Sequence, residues 1–595
     1  MKNFTTIQSI VFPGKIDEIP TDLYLKGEVK SGKIGLEFLN QESVRFDTFY
    51  NLFNVSKMKS ICSFSSVFLT LNFRGRFSYK IIHSHPEEGT DQILCGNEIF
   101  SDFEKSAQIP IHDWPDLSDG YLWLQLKALS DGVLFSAFFE TLDRPVHEVN
   151  LGVVIVHFNR KQWVIPALQR LRTELLDDPD YSGKISLAVI DNSRNITSDE
   201  SSGVSVIPNG NFGGSGGFAR GLLYFKDKGF THCLFMDDDA SCEVESIKRS
   251  WALLSYSTQP KFAIAGSLLR EQVPYELYEK GAIFGLERKA LKNGLDMRLR
   301  SHLAFAESEG LTPNYGAWWF FAFAIKDIAY FPFPFFVRGD DIMFSLLNGF
   351  SIYTTNGIAC WGEDFSYKQG PLQNYLDTRS FLVNGIVSLQ EPVWRHLAKA
   401  SKSFLRNLLT LNYASACAIC LAIEHSLLGI DFWIKNLDMA RIRSEIMAYS
   451  PSEKMLPIDP SIYDSDQLLF PGGPDPLKEE LGDQRESRWG AYLKLILLNG
   501  ALLPNFLLKK RVLLCSKTFF GFDRAFRYRR ILYFRASDST GYLAELDRFK
   551  LLKVLFRYLI ALTKIGLFPS RYRRNLYNAV RSHTQESFWR NLYHC

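Results

Sequence analysis

From about Tyr24 to Glu148 apolar and polar positions alternate in short runs, as in Ser66-Val67-Phe68-Leu69-Thr70-Leu71-Asn72-Phe73, and clusters of Gly, Pro, Asn and Asp separate the runs. A period of two puts one face of each run inside, so this stretch predicts an N-terminal β-sandwich. The pattern changes at Leu151. Val153-Val154-Ile155-Val156 is a continuous apolar run, and helical spacing follows from Gln162 to Leu175. Two further apolar runs, Ile185 to Ile190 and Cys233 to Met236, end at Asp191-Asn192 and at Asp237-Asp238-Asp239. Strands buried on both faces and separated by helices predict a mostly parallel sheet, whose ligands lie beyond the carboxyl ends of the strands. Both acidic ends fall there. From about Asp377 helical spacing dominates, with a Pro-, Gly- and Asp-containing interruption from Pro451 to Gly482. The expected architecture is a multidomain α/β chain: a β-sandwich over residues 1–150, a Rossmann-like α/β domain over 151–395 and an α-helical region over 396–595.

The apolar stretch Leu408 to Ile423 is near the lower length limit for a membrane span, contains Asn412 and runs into Glu424 and His425, so it reads as a buried helix. Met1-Lys2-Asn3-Phe4-Thr5-Thr6 shows no apolar run before a small-residue cleavage site, and the expected location is cytoplasmic. Nine cysteines without a spacing framework suit reduced thiols. Cys417 and Cys420 form a lone CxxC with no second pair or nearby His, which reads as helix interior rather than a zinc site.

Composition bounds the partners. With 46% hydrophobic and 22% charged residues the chain is globular, and a net charge of +3 over 595 residues gives no reason to expect nucleic acid. The charge is uneven, however: residues 501–595 hold 19 Lys and Arg against 5 Asp and Glu, interleaved with aromatics in Phe519 to Phe534 and Phe549 to Tyr577. Basic and aromatic together point to peripheral contact with an anionic membrane on its inner face, with a helical scaffold or a homo-oligomer interface as the other readings.

Three patterns carry candidate chemistry. Asp237 and Asp239 are alternate residues at a strand end and can face one hard cation, Mg²⁺ or Mn²⁺, able to neutralise a diphosphate leaving group; an acidic turn or helix cap is the alternative. The stretch Asn211-Phe212-Gly213-Gly214-Ser215-Gly216-Gly217 lets backbone approach a nucleotide or phosphate at a helix start, and it lacks the Gly-Lys-Ser/Thr of a P-loop. Arg338-Gly339-Asp340-Asp341 precedes a helical pattern from Ile342 to Leu347, and one carboxylate of the pair can accept the proton of an attacking hydroxyl while the other caps the helix or orients the acceptor. Trp318 and Trp319 offer either a sugar-stacking platform for the acceptor or hydrophobic core.

Taken in order, these motifs resemble the bacterial galactofuranosyltransferases of glycosyltransferase family 2, which use UDP-galactofuranose to build cell-surface galactan. The likeness includes Asp47-Thr48-Phe49-Tyr50-Asn51-Leu52-Phe53, Phe158-Asn159-Arg160, the Asn211–Gly217 stretch, Met236-Asp237-Asp238-Asp239, Trp318-Trp319, Asp340-Asp341 and Trp361. It implies a central domain of the GT-A type, a UDP-sugar donor and a glycan or lipid-linked acceptor of the galactan or O-antigen kind. It implies that Arg160, Asp191 and Asn211 contact the uridine diphosphate, with Phe158, Asn159, Gly213, Gly214 and Asp238 on the same donor side. Asp237 and Asp239 would hold the metal, Asp341 would be the general base, and Asp340 would help hold the acceptor. The family places a metal-binding His directly after Trp361, where this chain has Gly362, so Glu363 or Asp364 is the candidate replacement ligand. Rival readings are a family 2 transferase of rhamnose or galactopyranose, and a noncatalytic glycan-binding or assembly protein.

Overall fold

The computed structural model describes residues 4–14, 19–85, 89–201, 203–238, 241–363, 370–467, 488–515, 525–535 and 538–594. Asp239, Asp364 and residues 519–524 of the basic aromatic stretch lie outside them.

The alternating N-terminal runs form nine strands, and hydrogen bonds join all nine into one connected sheet. The strand Phe68–Ser84 explains why. It pairs along its length with Asp91–Pro110 on one edge. On its other edge it pairs first with Gly132–Thr141 and then with Tyr121–Ala128. The exchange of partners falls near Gly75, whose φ is +113° and where an added Cβ would lie 2.8 Å from the Gly132 Cα. An irregularity at a bend lets one long strand serve two neighbours. The inward residues, among them Leu69, Leu71, Phe73 and Phe77, are fully buried.

The continuous apolar runs become the middle of a seven-stranded sheet in the order Ser205–Pro208, Ile185–Asp191, Leu151–His157, His232–Asp237, Phe321–Ala324, Phe262–Ala265, Ser351–Tyr353. The first four strands are mutually parallel, and Phe321–Ala324 is antiparallel to both of its neighbours. The chain leaves Leu151–His157 for Ile185–Asp191 on one side and returns to its other side with His232–Asp237. That reversal opens a crevice beyond the strand ends, and the register sets His157 beside Asp191 and Val156 beside Asp237 at its lip. The helix Gly213–Asp227 covers this sheet closely. A Cβ on Gly217 would stand 2.4 Å from Val156 Cγ1, and one on Gly221 would stand 2.3 Å from Val154 Cγ1. Part of the glycine run therefore serves helix-to-strand packing.

Packing does not stop at residue 150. The rings of Phe64 and Tyr256 meet with centroids 4.8 Å apart, and the Ser9 N–H donates to Glu245 Oε1 at 2.6 Å. One buried cluster runs from Ile7 to Cys360. The boundary expected at 395 falls inside the helix Val393–Leu409. The C-terminal region is also not purely helical. Around Pro371–Val383, Val393–Leu409, Tyr413–Ser426, Arg548–Leu567, Pro569–His583 and Glu586–Tyr593 sits a five-stranded sheet, ordered Leu456–Pro457, Thr540–Glu545, Arg530–Arg535, Val512–Cys515, Ser465–Gln467. The Tyr, Ile, Leu and Phe residues of Arg530–Arg535 and Thr540–Glu545 pair as a hairpin, where β propensity outweighs the surrounding helical pattern.

The stretch Leu408 to Ile423 is split by Leu411, whose φ is +64°. Its second part lies in the buried helix Tyr413–Ser426. Among the described residues no helix is long and apolar enough to cross a membrane. The eight described cysteines are free, and burial pushes the Cys420 thiol well up.

Candidate active site

A cavity of about 530 Å³ opens at the strand ends. Asp237 enters it from the end of His232–Asp237, Gly214 from the Gly-rich helix start, and Asp340 and Asp341 from the first turn of the helix Asp340–Asn348. Gly339, at φ +88°, starts that helix, and a Cβ there would collide with Ser380 Oγ at 1.7 Å. The helical region closes the far wall with Asp377, Phe381, Lys399 and Ser403.

The two adjacent acids are not equivalent. Asp340 is 5% exposed, and its Oδ2 accepts the Ser215 hydroxyl at 2.8 Å. Burial and then the neighbouring Asp341 push its carboxyl up to about 7. Asp341 also accepts a hydrogen bond, from the Ile342 N–H at 2.8 Å to Oδ1. Burial raises its carboxyl above the ordinary range, and the Arg288 guanidinium pulls in the other direction. Arg288 stands in the cavity wall, its Nε donating to Tyr315 Oη at 2.6 Å and its Nη2 3.5 Å from the buried Glu279 carboxylate. Burial and the like charge thus disfavour ionisation of Asp340, while the Arg288 cation favours that of Asp341.

The donor-side residues form a second group at the crevice lip. The Asp238 carboxylate accepts the Phe158 N–H at 3.2 Å, stands 3.2 Å from His157 Nδ1 and lies 3.5 Å from Arg160 Nη1. Burial alone would depress the His157 imidazole, but its bonds to Asp238 and Asn195 outweigh that and hold it above the usual histidine value. Phe158 is exposed, and Asn159, at φ +54°, donates its N–H to Ser193 Oγ at 2.6 Å. Asn211 Oδ1 accepts the Gly213 N–H at 3.2 Å, and Gly213, at φ +67°, admits no Cβ because Phe336 O would lie 2.1 Å away.

Asp191 is tied into its own loop. It is 1% exposed, and its two oxygens accept the backbone N–H groups of Ser193, Arg194, Asn195 and Ile196 at 2.7 to 2.9 Å. Four donors engage the carboxylate, so Asp191 fixes the Ser193–Ile196 loop at the crevice lip. Trp318 and Trp319 also depart from a stacking platform. Both are nearly buried, Trp318 wedged edge-on against Phe218, Phe235 and Phe344, and Trp319 donating Nε1–H to Gly266 O at 3.0 Å. They are core residues that contribute to the cavity wall.

For a metal, Asp237 faces the cavity, and the short ladder pairing Ser241 with Trp361 ties the chain beyond the acidic cluster to the strand carrying Gly362. Glu363 is exposed just past that strand. A Cβ on Gly362 would come 3.0 Å from Leu268 Cδ1. Asp237 and Glu363 offer oxygen only, which fits a hard divalent cation, and Asp239 would be needed to complete the set.

No family model matches the chain. Over 442 residues, 69% of the chain and 67% of the relative, it is 23% identical to the galactofuranosyltransferase GlfT2 of Mycolicibacterium smegmatis. Over 449 residues, 69% of both chains, it is 23% identical to the galactofuranosyltransferase GlfT2 of Mycobacterium tuberculosis. The chain is a glycosyltransferase. A mannosyltransferase from Pyrobaculum calidifontis, solved with GDP-Man and Mn²⁺, aligns with 52% of the transferase and 83% of its own chain at 12% identity and a TM-score of 0.30.

Several site residues of the transferase carried no local signal. His157 ends its strand without a motif, Arg288 lies on the short strand Arg288–Ala290, and Ser215 reads as one polar residue among glycines. The C-terminal helix Glu586–Tyr593 returns to the Gly-rich segment, where Tyr593 Oη donates to Gly216 O at 2.6 Å and Arg590 pairs with Asp227.

Proposed function

We propose that the enzyme transfers galactofuranose from UDP-galactofuranose, with inversion, to a hydroxyl of a cell-surface glycan or lipid-linked acceptor. The observation that carries the reading is the convergence of Asp237, Asp340 and Asp341 on one cavity at the strand ends, in a chain whose relatives are named galactofuranosyltransferases. Asp341 accepts the acceptor proton on Oδ2, since Oδ1 is held by the Ile342 N–H. The hydroxyl oxygen bonds to the anomeric carbon as the bond to UDP breaks, and no covalent enzyme intermediate is required. Asp340, fixed by Ser215, orients the acceptor. Mn²⁺ or Mg²⁺ held by Asp237 with Asp239 and Glu363 would neutralise the diphosphate leaving group. Phe158, Asn159, Arg160, Asn211 and Gly214 lie on the donor side, with Asp238 bracing the Phe158 turn. Release of UDP from UDP-galactofuranose, measured with and without divalent metal, tests the reading. The wild type should turn over only with metal, Asp237→Asn should lose metal-dependent donor binding, and turnover of UDP-galactopyranose or a rhamnose donor alone would replace the sugar.

The same proposal places the enzyme on the inner face of a membrane. Phe549, Leu552, Phe556, Leu559 and Leu567 line the exposed face of the helix Arg548–Leu567, while Leu551, Val554, Tyr558, Ala561 and Ile565 fill its buried face. Lys553 and Lys564 on this helix, and Arg571, Arg573 and Arg574 on the helix Pro569–His583 that follows it, are exposed. Aromatic insertion with basic flanks suits anionic lipid. Flotation with phosphatidylglycerol vesicles should carry the wild type up and leave a Phe549→Glu, Phe556→Glu variant at the bottom; equal flotation would reject this face.

A further inference from the structure

Away from the catalytic cavity, the N-terminal sheet gathers His83, His85 and Asp119, with one potential ligand atom from each lying within 4.8 Å of the others. The strand register builds the cluster. His83 pairs with Leu122 and Ser84 with Tyr121, so the turn before Tyr121–Ala128 comes to rest against the end of Phe68–Ser84. Gly120, at φ +81°, makes the approach possible, because a Cβ there would stand 2.6 Å from His83 Nε2. The backbone under the histidines is held firmly. Ser84 Oγ donates to Asp91 Oδ1 at 2.7 Å and accepts from Trp123 Nε1 at 2.6 Å, and Arg300 pairs with Asp91.

We propose that His83, His85 and Asp119 form a second metal site, for a borderline cation of the Zn²⁺ class, distinct in chemistry from the all-oxygen set at Asp237. His85 Nδ1 and Asp119 Oδ1 are 3.2 Å apart. Two ligands on a tetrahedral zinc ion stand roughly 3.4 Å apart, so this edge is already at coordinating length. His83 is 2% exposed and donates Nε2–H to the Asp119 carbonyl at 2.7 Å. Fixing one ring nitrogen on a backbone carbonyl is how a metal-binding imidazole is oriented, and in the neutral ring it leaves Nδ1 bearing the lone pair. Two imidazoles and one carboxylate favour zinc, cobalt, nickel or copper over magnesium. Asp119 and His85 remain partly exposed, giving the ion an entry path and a water for its fourth position.

The test uses the full chain, stripped with a chelator and kept in excess Mg²⁺, titrated with Zn²⁺ by calorimetry and with Co²⁺ by visible absorption. The wild type should take up zinc and give the intense absorption of four-coordinate, nitrogen-ligated cobalt. Asp237→Asn should retain both signals, while His85→Ala and Asp119→Asn should weaken zinc uptake at least about tenfold and keep glycosyl transfer. No uptake by the wild type, unchanged uptake by His85→Ala, or uptake lost only in Asp237→Asn would each overturn the site.

Discussion

Asp341→Asn should lower kcat by about 10²- to 10⁴-fold while leaving UDP affinity unchanged. The substitution is isosteric, and the amide oxygen can still accept the Ile342 N–H that fixes the side chain, so the helix start should survive. What is lost is a basic oxygen toward the acceptor. The pH profile gives an independent reading. Both carboxyls are raised by burial, Asp340 to about 7, so the acid limb should lie above the ordinary carboxylate range and belong to the pair rather than to either residue. Asp340→Asn removes the like charge beside the base and should move that limb to lower pH, whereas a purely structural role for Asp340 would leave it in place. Single-turnover measurements with calorimetric UDP binding check both variants. Turnover near the wild-type rate in Asp341→Asn would take the base away from this residue.

The elements around this pair were legible to different depths. The strands ending at Asp191 and Asp237 announce themselves because a strand buried on both faces is a continuous apolar run, and the acids mark where it meets solvent. Asp340-Asp341 at a helix start is likewise local. The partners that give these acids their character are not. Ser215 reaches Asp340 across 125 positions, and Arg288 approaches Asp341 from a short strand with no apolar pattern. The opposite failure occurs at Asp191, where the motif is plain but the carboxylate is saturated by its own loop. The tryptophans show the same limit, since adjacent aromatic residues serve a core and a sugar platform equally well until their neighbours Phe218, Phe235 and Phe344 are in place. The Arg530–Arg535 hairpin was hidden because a run rich in Arg and aromatics sits between helical stretches, and its sheet is completed by strands drawn from inside the interruption at Pro451 to Gly482.

The largest loss of stability is expected at Glu307, and it concerns how the first domain holds the second. Lys280 Nζ lies 2.6 Å from Glu307 Oε1, and Lys57 Nζ, on the helix Val55–Ile61 of the N-terminal domain, lies 2.7 Å from Oε2. Glu307 and Lys280 are each 2% exposed. Two cations share one anion. The lysines therefore outweigh burial and hold the Glu307 carboxyl at about 2, while burial pulls Lys280 down to about 7 because the single carboxylate cannot repay both. Glu307→Gln should cost about 3–5 kcal/mol, since it strands the buried Lys280 ammonium, and the partly exposed one of Lys57, without a counter-ion. Lys280→Met on top of Glu307→Gln should recover part of that loss, a non-additivity expected of groups in one network. The pH sign follows from the depressed carboxyl: its stabilisation is complete above the unfolded value near 4.5 and is lost as pH falls toward 2. Urea unfolding of the wild type, the Glu307→Gln chain and the double variant from pH 7 to pH 3 measures this directly. A Glu307→Gln chain as stable as the wild type at pH 7, or one whose acid sensitivity is unchanged, would show that the cluster does not couple the two domains.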